Sequence, residues 1–380
     1  MKRIARKPQL IKTFAEADTG GIIRAHHGNG CSNVACGQAQ TSQCEGRQDS
    51  FFGKLLSMNI QGCFPTIRTR RIDRPLFVLG LPRTGSSFLQ ALLAQDPDNI
   101  APTTSDFFFP SAFQAWQGNG PDTRLQRTHE IQQALGMFDP DIQAMHPWGD
   151  TQPEECMFSM ELAGWSEQLS ASWRVPGYNR LRNGHLHAAF AMHRTVLQHL
   201  QHHMPGQRFA LKSPGHLLRL QALLTEYPDA MIVQTHRDPA RVLPSITAFL
   251  VALRTVCCES RTPGDKIASV NLTAFSEGLK QVIEFRRTAG LDGQFHDALF
   301  TDIVRDPIGS VRAIYERFNL SLSNRAVAAM HAWLDNPANN TPRGKYTLEQ
   351  YGLNEAMIDE KFALYMEHFS ISRERGSVSC

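Results

Sequence analysis

The sequence predicts an α/β fold of three layers, α/β/α, in which helices cover both faces of a mostly parallel central sheet. Three observations support this prediction. Short apolar runs alternate with segments of helical period from residue 75 onward. The 380 residues are 42% hydrophobic and 20% charged, the composition of a globular protein with a large core. A stretch at about 103–206 separates the first alternating unit from the second and adds a helical insertion.

Four apolar runs are interpreted as strands of that sheet: PLFVLG at 75–80, RFALK at 208–212, AMIVQTHR at 230–237 and DALFTDI at 297–303. Each is followed within a few residues by a segment in which apolar residues recur with helical period. In the last unit Pro307 lies near the start of the helix, where its missing N–H costs no hydrogen bond. Four strands that are each followed by a helix predict a parallel arrangement.

The domain organisation expected from composition has three parts. Residues 1–65 are rich in Gly, Ser, Gln and Cys and are expected to be poorly ordered, residues 66–370 form one large domain, and residues 371–380 form a flexible tail. The first part holds Cys31, Cys36, Cys44 and Cys63. Their spacing matches no usual zinc pattern, so free thiols are expected rather than a zinc site.

Four of the five tryptophans fall in the insertion: Trp116, Trp148, Trp165 and Trp173. Because tryptophan and other aromatic side chains often line ligand pockets, the insertion is expected to be helical and to form a pocket over the site on the sheet. Such a pocket would be apolar or aromatic, although large aromatic side chains more often belong to the hydrophobic core, which is the alternative interpretation.

The charge balance and the start of the chain exclude some classes of partner. Thirty-nine Lys and Arg against 36 Asp and Glu give a net charge of +3, too small to indicate a nucleic-acid-binding surface. The basic start MKRIARKPQLIKTF lacks the apolar segment of a secretion signal, and no run of about 18 apolar residues is present to span a membrane. A cytoplasmic protein is expected, with an organelle transit peptide as the alternative interpretation of the basic start. The oligomeric state is not indicated.

The turn GLPRTGSS at 80–87 carries the strongest functional signal. A glycine-bounded loop between a buried strand and a helix directs backbone N–H groups and the helix dipole at one point, which suits a phosphate or sulfate. The GxxxxG spacing is P-loop-like, but Ser86 stands where a P-loop has lysine, and no clear carboxylate is present to hold Mg²⁺. The cation is instead Arg83, which a turn that only caps a helix would not need.

The segment LFVLGLPRTGSSFLQALLA resembles the 5′-phosphosulfate loop of sulfotransferases that use 3′-phosphoadenosine-5′-phosphosulfate (PAPS). It is most similar to the bacterial-type branch with a PRTG loop, to which tyrosylprotein sulfotransferases are related. The resemblance continues at 211–245, 300–318 and 346–353 and covers about residues 75–370. It implies a P-loop-like sulfotransferase domain that moves a sulfuryl group from PAPS to a hydroxyl or amine acceptor by in-line displacement, without a metal. Ser86-Ser87 replaces the usual Gly-Thr-Thr and keeps a hydroxyl, whereas residues 1–65 match no known element.

The resemblance also assigns residues to the two ends of the donor. The 5′-phosphosulfate is expected on the loop residues Arg83, Thr84, Gly85, Ser86 and Ser87. Arg237, which ends a strand, and Ser245, eight residues on, match the arginine and serine that hold the 3′-phosphate. Lys212 closes another strand at the same sheet edge, and with Arg83 it is expected to stabilise charge on the leaving oxygen.

A hydroxyl acceptor needs a general base, and four residues compete for that role. Glu155 in HPWGDTQPEEC is slightly favoured, because the segment resembles the PEEC element of the bacterial branch and the tyrosylprotein enzymes use a glutamate. His216 in KSPGH is similar to the catalytic KxH of cytosolic enzymes, at a different spacing. Glu154 and His146 remain open, since a base is selected by geometry first and pKa second.

Two other functional classes stay open on the sequence alone. A P-loop-type nucleotide kinase or hydrolase is disfavoured by the missing GK[ST] lysine. A catalytically silent anion-binding protein is disfavoured by the set Arg83, Lys212, Arg237 and Ser245. The acceptor, a small molecule or a peptide, is not readable from the sequence.

Overall fold

The computed structural model describes residues 67, 69–110, 123–149, 151–172, 177–257, 262–339 and 344–374. The expectations for residues 1–65, including their cysteines, concern residues outside these ranges. The same holds for Trp116 and Trp173.

A five-stranded parallel sheet forms the centre of the described part. Its strands are β1 (Leu76–Gly80), β2 (Asn99–Ile100), β3 (Arg208–Lys212), β4 (Met231–His236) and β5 (Phe295–Leu299). They lie in the order β2-β3-β1-β4-β5, and every pair of neighbours is parallel. The predicted α/β class with a mostly parallel sheet is confirmed.

Helices alternate with these strands. Their bounds are α1 (Ser86–Leu93), α2 (Thr104–Phe108), α3 (Arg124–Ala134), α4 (Pro140–Met145), α5 (Met157–Met160), α6 (Tyr178–Gly184), α7 (Leu186–His203), α8 (Leu220–Glu226), α9 (Pro239–Cys257), α10 (Gly264–Ala289), α11 (Phe300–Arg305), α12 (Pro307–Arg317), α13 (Asn324–Leu334) and α14 (Glu355–His368). Helices α2 to α7 make up the described part of the insertion between β2 and β3, which is helical as predicted.

The fourth predicted strand, at 297–303, is wrong in its second half. The strand ends at Leu299, and α11 begins at the next residue. Phe300 and Ile303 are three residues apart and are both buried, as one face of a helix requires. The Asp302–Arg305 ion pair at 2.7 Å supports the same turn. Residues 300–303 therefore form the first turn of a helix, although their apolar residues continue the run of the strand.

Alternate residues of the central strand enter two separate hydrophobic clusters, one on each face of the sheet. Phe77 and Leu79 pack in the cluster that includes α7, α10 and α14. Leu76 and Val78 pack in the other, which includes α1, α12 and α13. This alternation follows from the two-residue period of a strand, and burial of both faces explains why PLFVLG is apolar throughout.

The strand order creates a crevice at the carboxyl edge of the sheet. From β1 the chain leads to β2 and β3 on one side, whereas from β4 it leads to β5 on the other. Ligands of open parallel sheets bind where the connections diverge in this way. The loop after β1 and the residues after β4 both lie at that point.

Helix α9 begins directly after β4 and continues beyond the sheet. By length and composition, the segment Pro239–Val256 is the one helix among the described residues that is apolar enough to cross a membrane. Of this segment, 39% is buried. Its first half is mostly buried, and the second half, from Phe249 on, is largely half-buried and packs with α10 and α4.

Four residues of the expected tail, 371–374, are described and are packed against the domain. Ile371 is buried, and Arg373 Nη1 forms an ion pair with Asp238 Oδ1 at 2.9 Å. The Glu374 backbone N–H donates to Asp238 Oδ2 at 2.9 Å. The chain is thus held to the start of α9 as far as Glu374.

Candidate active site

The loop at 80–87 is held by close contacts between β1 and β4. A Cβ at Gly80 would lie 2.4 Å from Thr235 Oγ1 and 2.5 Å from the Thr235 carbonyl oxygen, so a larger residue does not fit there. The Thr84 hydroxyl lies 2.7 Å from the Leu81 carbonyl, to which it donates, and 2.6 Å from Thr235 Oγ1. The Thr84 side chain is therefore fully engaged in shaping the loop.

The backbone of the loop has a positive φ at three positions. Gly80 has φ = 154°, Arg83 has φ = 70° and Gly85 has φ = 88°. Non-glycine residues rarely adopt positive φ, and such conformations are concentrated at functional sites. Gly85 precedes α1 and provides no side-chain cap, so the N–H groups of Ser86 and Ser87 open an uncapped helix end. This end is suited to an anion.

Three residues predicted to bind the donor meet at the crevice. Arg83 Nε donates to Ser245 Oγ at 3.1 Å. Arg237 Nη1 donates to the Arg83 carbonyl oxygen, also at 3.1 Å. The loop after β1, the end of β4 and helix α9 are thereby joined by two hydrogen bonds.

The Arg237 guanidinium has two further contacts that the sequence does not reveal. Its Nε and Nη2 donate to the two carboxylate oxygens of Glu374, at 2.9 and 3.0 Å. The ring of Phe300 covers one face, with its centroid 3.7 Å from the guanidinium carbon. Sequence reasoning missed Glu374 because a glutamate in a polar stretch after the last helix has no periodic or motif signal.

Lys212 and Glu155 form the second polar centre of the site. Lys212 ends β3 with only 1% of its side chain exposed, and its Nζ lies 2.8 Å from Glu155 Oε1. Ser213 Oγ donates to Glu155 Oε2 at 3.4 Å. The Cys156 N–H donates to the Lys212 carbonyl oxygen at 3.0 Å, which holds the glutamate segment beside the strand. The predicted cation and the favoured base are thus in direct contact.

Glu154 is buried behind this pair. Burial raises the pKa of its carboxyl group to about 7; the Lys212 ammonium opposes the rise and the Glu155 charge adds to it. Its Oε1 accepts the Glu155 N–H at 2.7 Å, and the backbone carbonyl of Glu154 accepts from Gln90 at 3.2 Å. Burial likewise raises the pKa of the Cys156 thiol, which makes that thiol unreactive at neutral pH.

His216 lies in the hydrophobic core. Its ring is 2% exposed and has its centroid 5.5 Å from that of Phe77 and 5.4 Å from that of Phe190. Burial, with a smaller contribution from His193, lowers its pKa well below the usual value. Its Nε2 has no hydrogen-bond partner among the residues that the structure describes.

His146 lies nearer to the glutamates. It stacks on Trp148 with ring centroids 4.5 Å apart and contacts Phe249 of α9 at 5.8 Å. One ligand atom from each of His146, Glu154 and Glu155 lies within 4.8 Å of the others. Two of the four candidate bases therefore accompany Glu155, whereas His216 is enclosed among rings.

A cavity of about 690 Å³ lies between α4 and the second half of α9, and His146, Glu154 and Glu155 are not among its lining residues. Ala248, Ala252 and Val256 line it from α9, at the three- and four-residue steps that continue the face of Ser245. Met145, next to His146, lines the opposite side. The remaining lining residues are Asp139, Asp141, Ala144, Val251, Thr255, Thr262, Pro263, Gly264, Tyr346 and Tyr351.

The chain is similar in sequence and in fold to known sulfotransferases. The omega-hydroxy-beta-dihydromenaquinone-9 sulfotransferases Stf3 of Mycobacterium bovis and Mycobacterium tuberculosis are 23% identical over 308 residues, which cover 79% of this chain and 76% of theirs. The fold is similar to that of sulfotransferase STF9 from Mycobacterium avium, with a TM-score of 0.74, 23% identity and coverage of 88% and 86%. For sulfotransferase STF1 from Mycobacterium tuberculosis the TM-score is 0.66 and the sequence identity is 26%, and the match covers 94% of this chain and 96% of that one.

A family model describes the same region of the chain. The model of the sulfotransferase family matches residues 75–324, from the first strand of the sheet to the start of α13. That range contains the loop at 80–87, the Lys212–Glu155 pair, Arg237 and Ser245. The chain belongs to the sulfotransferase family.

Proposed function

We propose that this protein transfers a sulfuryl group from PAPS to a hydroxyl or amine acceptor. The observation that carries the proposal is the meeting of Arg83, Arg237 and Ser245 at the crevice between β1 and β4, through two contacts of 3.1 Å. Two arginines at one sheet edge suit a nucleotide that carries anionic groups on both its 5′ and 3′ positions. Membership of the sulfotransferase family supports sulfuryl transfer as the reaction.

In this proposal the binding groups divide between the two ends of the donor. Arg83 and the N–H groups at the start of α1, at Ser86 and Ser87, hold the 5′-phosphosulfate, with Thr84 and Gly85 shaping the loop. Arg237 and Ser245 hold the 3′-phosphate. Since Thr84 is engaged inside the loop, its part in binding is limited to its backbone.

The transfer step is an in-line displacement at sulfur. A bond forms from the acceptor oxygen or nitrogen to sulfur while the bond from sulfur to the phosphate oxygen breaks, and the nucleotide leaves as adenosine 3′,5′-bisphosphate. Arg83 and Lys212 stabilise the negative charge that grows on the leaving phosphate oxygen, so their effect is greatest in the transition state. Glu155 accepts the proton that the acceptor loses.

Glu155 is preferred to the other candidate bases on geometry. Its carboxylate is 15% exposed and lies 2.8 Å from the Lys212 ammonium, so it is both accessible and beside the second cation. Glu154 has a pKa of about 7, which suits a base, but it is almost fully enclosed and accepts a backbone N–H. His216 is enclosed by aromatic rings. We therefore expect Glu155→Gln to reduce turnover far more than His216→Gln.

We propose that the reaction needs no metal. His146, Glu154 and Glu155 are grouped closely enough to ligate a cation, but the Lys212 ammonium already supplies positive charge at Glu155. Turnover is expected to be unchanged by EDTA and by added Mg²⁺. In keeping with the sequence, we expect a cytoplasmic enzyme without a nucleic-acid partner.

We propose a neutral, largely apolar alcohol as the acceptor. The cavity between α4 and α9 is lined mainly by small and apolar side chains, and Asp139 and Asp141 add negative charge that disfavours anionic acceptors. Because Met145 in its lining precedes His146, which is grouped with Glu155, we expect an apolar body in this cavity to extend a terminal hydroxyl toward Glu155. The relatives named omega-hydroxy-beta-dihydromenaquinone-9 sulfotransferase carry in their name a hydroxylated substrate, which agrees with this class.

Calorimetric binding of nucleotides tests the donor assignment. Adenosine 3′,5′-bisphosphate should bind far more tightly than AMP or ATP, with or without Mg²⁺. Arg237→Ala should remove most of that preference, while Arg287→Ala, at an exposed arginine of α10, should leave it intact. Equal affinities for AMP and the bisphosphate in the unmodified protein contradict the proposal.

A cavity-filling variant tests the acceptor assignment. Ala252→Phe should abolish transfer to a long-chain alcohol and leave bisphosphate binding unchanged, because Ala252 lines the cavity and not the donor crevice. Val270→Phe, which adds the same ring at an exposed position of α10, is the matched control. Unchanged transfer in Ala252→Phe would show that the acceptor enters elsewhere.

A further inference from the structure

The arginine proposed to hold the donor's 3′-phosphate already holds an anion from its own chain. Both carboxylate oxygens of Glu374 accept from Arg237, at 2.9 and 3.0 Å, and the Glu374 side chain is only 6% exposed. Nη1 donates to the Arg83 carbonyl oxygen and Phe300 covers one face, so all three nitrogens and one face of the guanidinium are engaged. This is the paired, side-on geometry that guanidinium offers to phosphate as readily as to carboxylate.

The backbone around Glu374 is held independently of this ion pair. Its N–H donates to Asp238, and its carbonyl oxygen accepts from the Arg241 guanidinium at 2.6 and 3.2 Å. Arg373 is paired with Asp238 at 2.9 Å. The carboxylate can therefore leave Arg237 by rotation of a single side chain while residues 371–374 remain attached.

We propose that the Glu374 carboxylate occupies the subsite of the donor's 3′-phosphate and is displaced from Arg237 when the donor binds. This inference rests on the proposed function, because it takes Arg237 as the 3′-phosphate ligand. Two anions cannot share the same pair of N–H donors, and their like charges repel each other at that distance. The phosphate must exchange with the carboxylate.

The exchange gives Glu374 a role in selecting the nucleotide. A nucleotide without a 3′-phosphate has no group to replace the carboxylate, so it gains nothing from Arg237. Free anions such as inorganic sulfate meet an arginine that is already neutralised. Only a ligand with an anion at the 3′ position, anchored by its other end in the loop after β1, competes effectively with Glu374.

The cost to the correct ligand follows from the fraction of molecules in which Arg237 is available. If the Glu374 pair is formed in about nine molecules of ten, the apparent dissociation constant of the bisphosphate is about tenfold higher than its intrinsic value. Removing the charge in Glu374→Gln should therefore tighten bisphosphate binding by about tenfold. The affinity for AMP should not change, and inhibition by inorganic sulfate should become stronger.

The test is calorimetric titration of the full chain with adenosine 3′,5′-bisphosphate, AMP and sodium sulfate. Glu374→Gln is compared with Glu374→Asp, whose shorter side chain weakens the pair, and with Glu360→Gln, which removes a charge at a site 72% exposed on α14. Both Glu374 variants should bind the bisphosphate more tightly and the control should not. Weaker or unchanged binding in folded Glu374 variants overturns the proposal, since Glu374 would then orient Arg237 or be irrelevant to it. Failure of the unmodified protein to prefer the bisphosphate over AMP instead refutes the proposed function, and the inference with it.

Discussion

Replacing Lys212 with methionine tests the ion pair at the centre of the candidate site. Methionine keeps most of the volume of the side chain but leaves the Glu155 carboxylate without its partner at 2.8 Å. At an effective dielectric constant of about 20, the attraction at that distance is about 6 kcal/mol, and desolvation offsets part of it. Removing one member of a buried pair costs about 3–5 kcal/mol. Since Glu155 is 15% exposed, we expect about 3 kcal/mol.

The loss should be reversed by a second substitution. The double variant Lys212→Met with Glu155→Gln leaves no unpaired charge, so urea unfolding at pH 7 should show most of the lost stability restored. Turnover should be absent from both variants, and bisphosphate affinity should be retained in both, because Arg237 and Ser245 are untouched. If the double variant is less stable than Lys212→Met, or if Lys212→Met is as stable as the unmodified protein, the pair is not the source of the stability. Turnover in the double variant would remove both residues from the mechanism.

Three more predictions concern other parts of the chain. Arg83→Ala should lower kcat more than it weakens bisphosphate binding, with kcat measured by steady-state kinetics and binding by calorimetry. A change in KM alone would make Arg83 a binding residue only. Glu154 binds its proton more tightly when folded, with a pKa of about 7, so stability should fall as pH rises from about 4.5 to 7, and Glu154→Gln should be more stable by about 3 kcal/mol at pH 8 but not at pH 4. Denaturation curves at the two pH values measure this, and equal differences would contradict it. A chain that starts near Ser57 should keep the bisphosphate affinity of the full protein, if residues 1–65 are dispensable for donor binding; loss of transfer alone would instead make them part of the acceptor site.

The sequence was sufficient to predict four of the five strands and to single out the loop after β1, because these depend on local patterns, but β2, with only two residues, carried no such pattern. Strands read from apolar runs and a GxxxxG loop are short-range signals, and the resemblance to sulfotransferases supplied Arg237 and Ser245. The boundary at Phe300 was misplaced because an apolar run of that length fits a strand and the first turn of a helix equally well.

Contacts between distant segments could not be predicted, because the signals in the sequence are short-range. His216 was considered as a base because KSPGH is similar to the catalytic KxH of cytosolic sulfotransferases. Burial between Phe77 and Phe190 is a property of the tertiary fold, and no periodicity reports it. The pairing of Arg237 with Glu374 joins two segments with no shared motif.

The position of β1 in the middle of the sheet has a consequence for biosynthesis. β1 leads into the loop at 80–87 and is made first, yet both of its neighbours, β3 and β4, are encoded much later, at 208–212 and 231–236. Until the ribosome has passed residue 212, neither edge of β1 has a partner; until it has passed residue 236, the edge that pairs with β4 stays open and the loop cannot take its final shape. A topology with such distant pairing folds slowly and exposes strand edges to aggregation. We expect nascent chains of this protein to depend on chaperones until β4 has emerged.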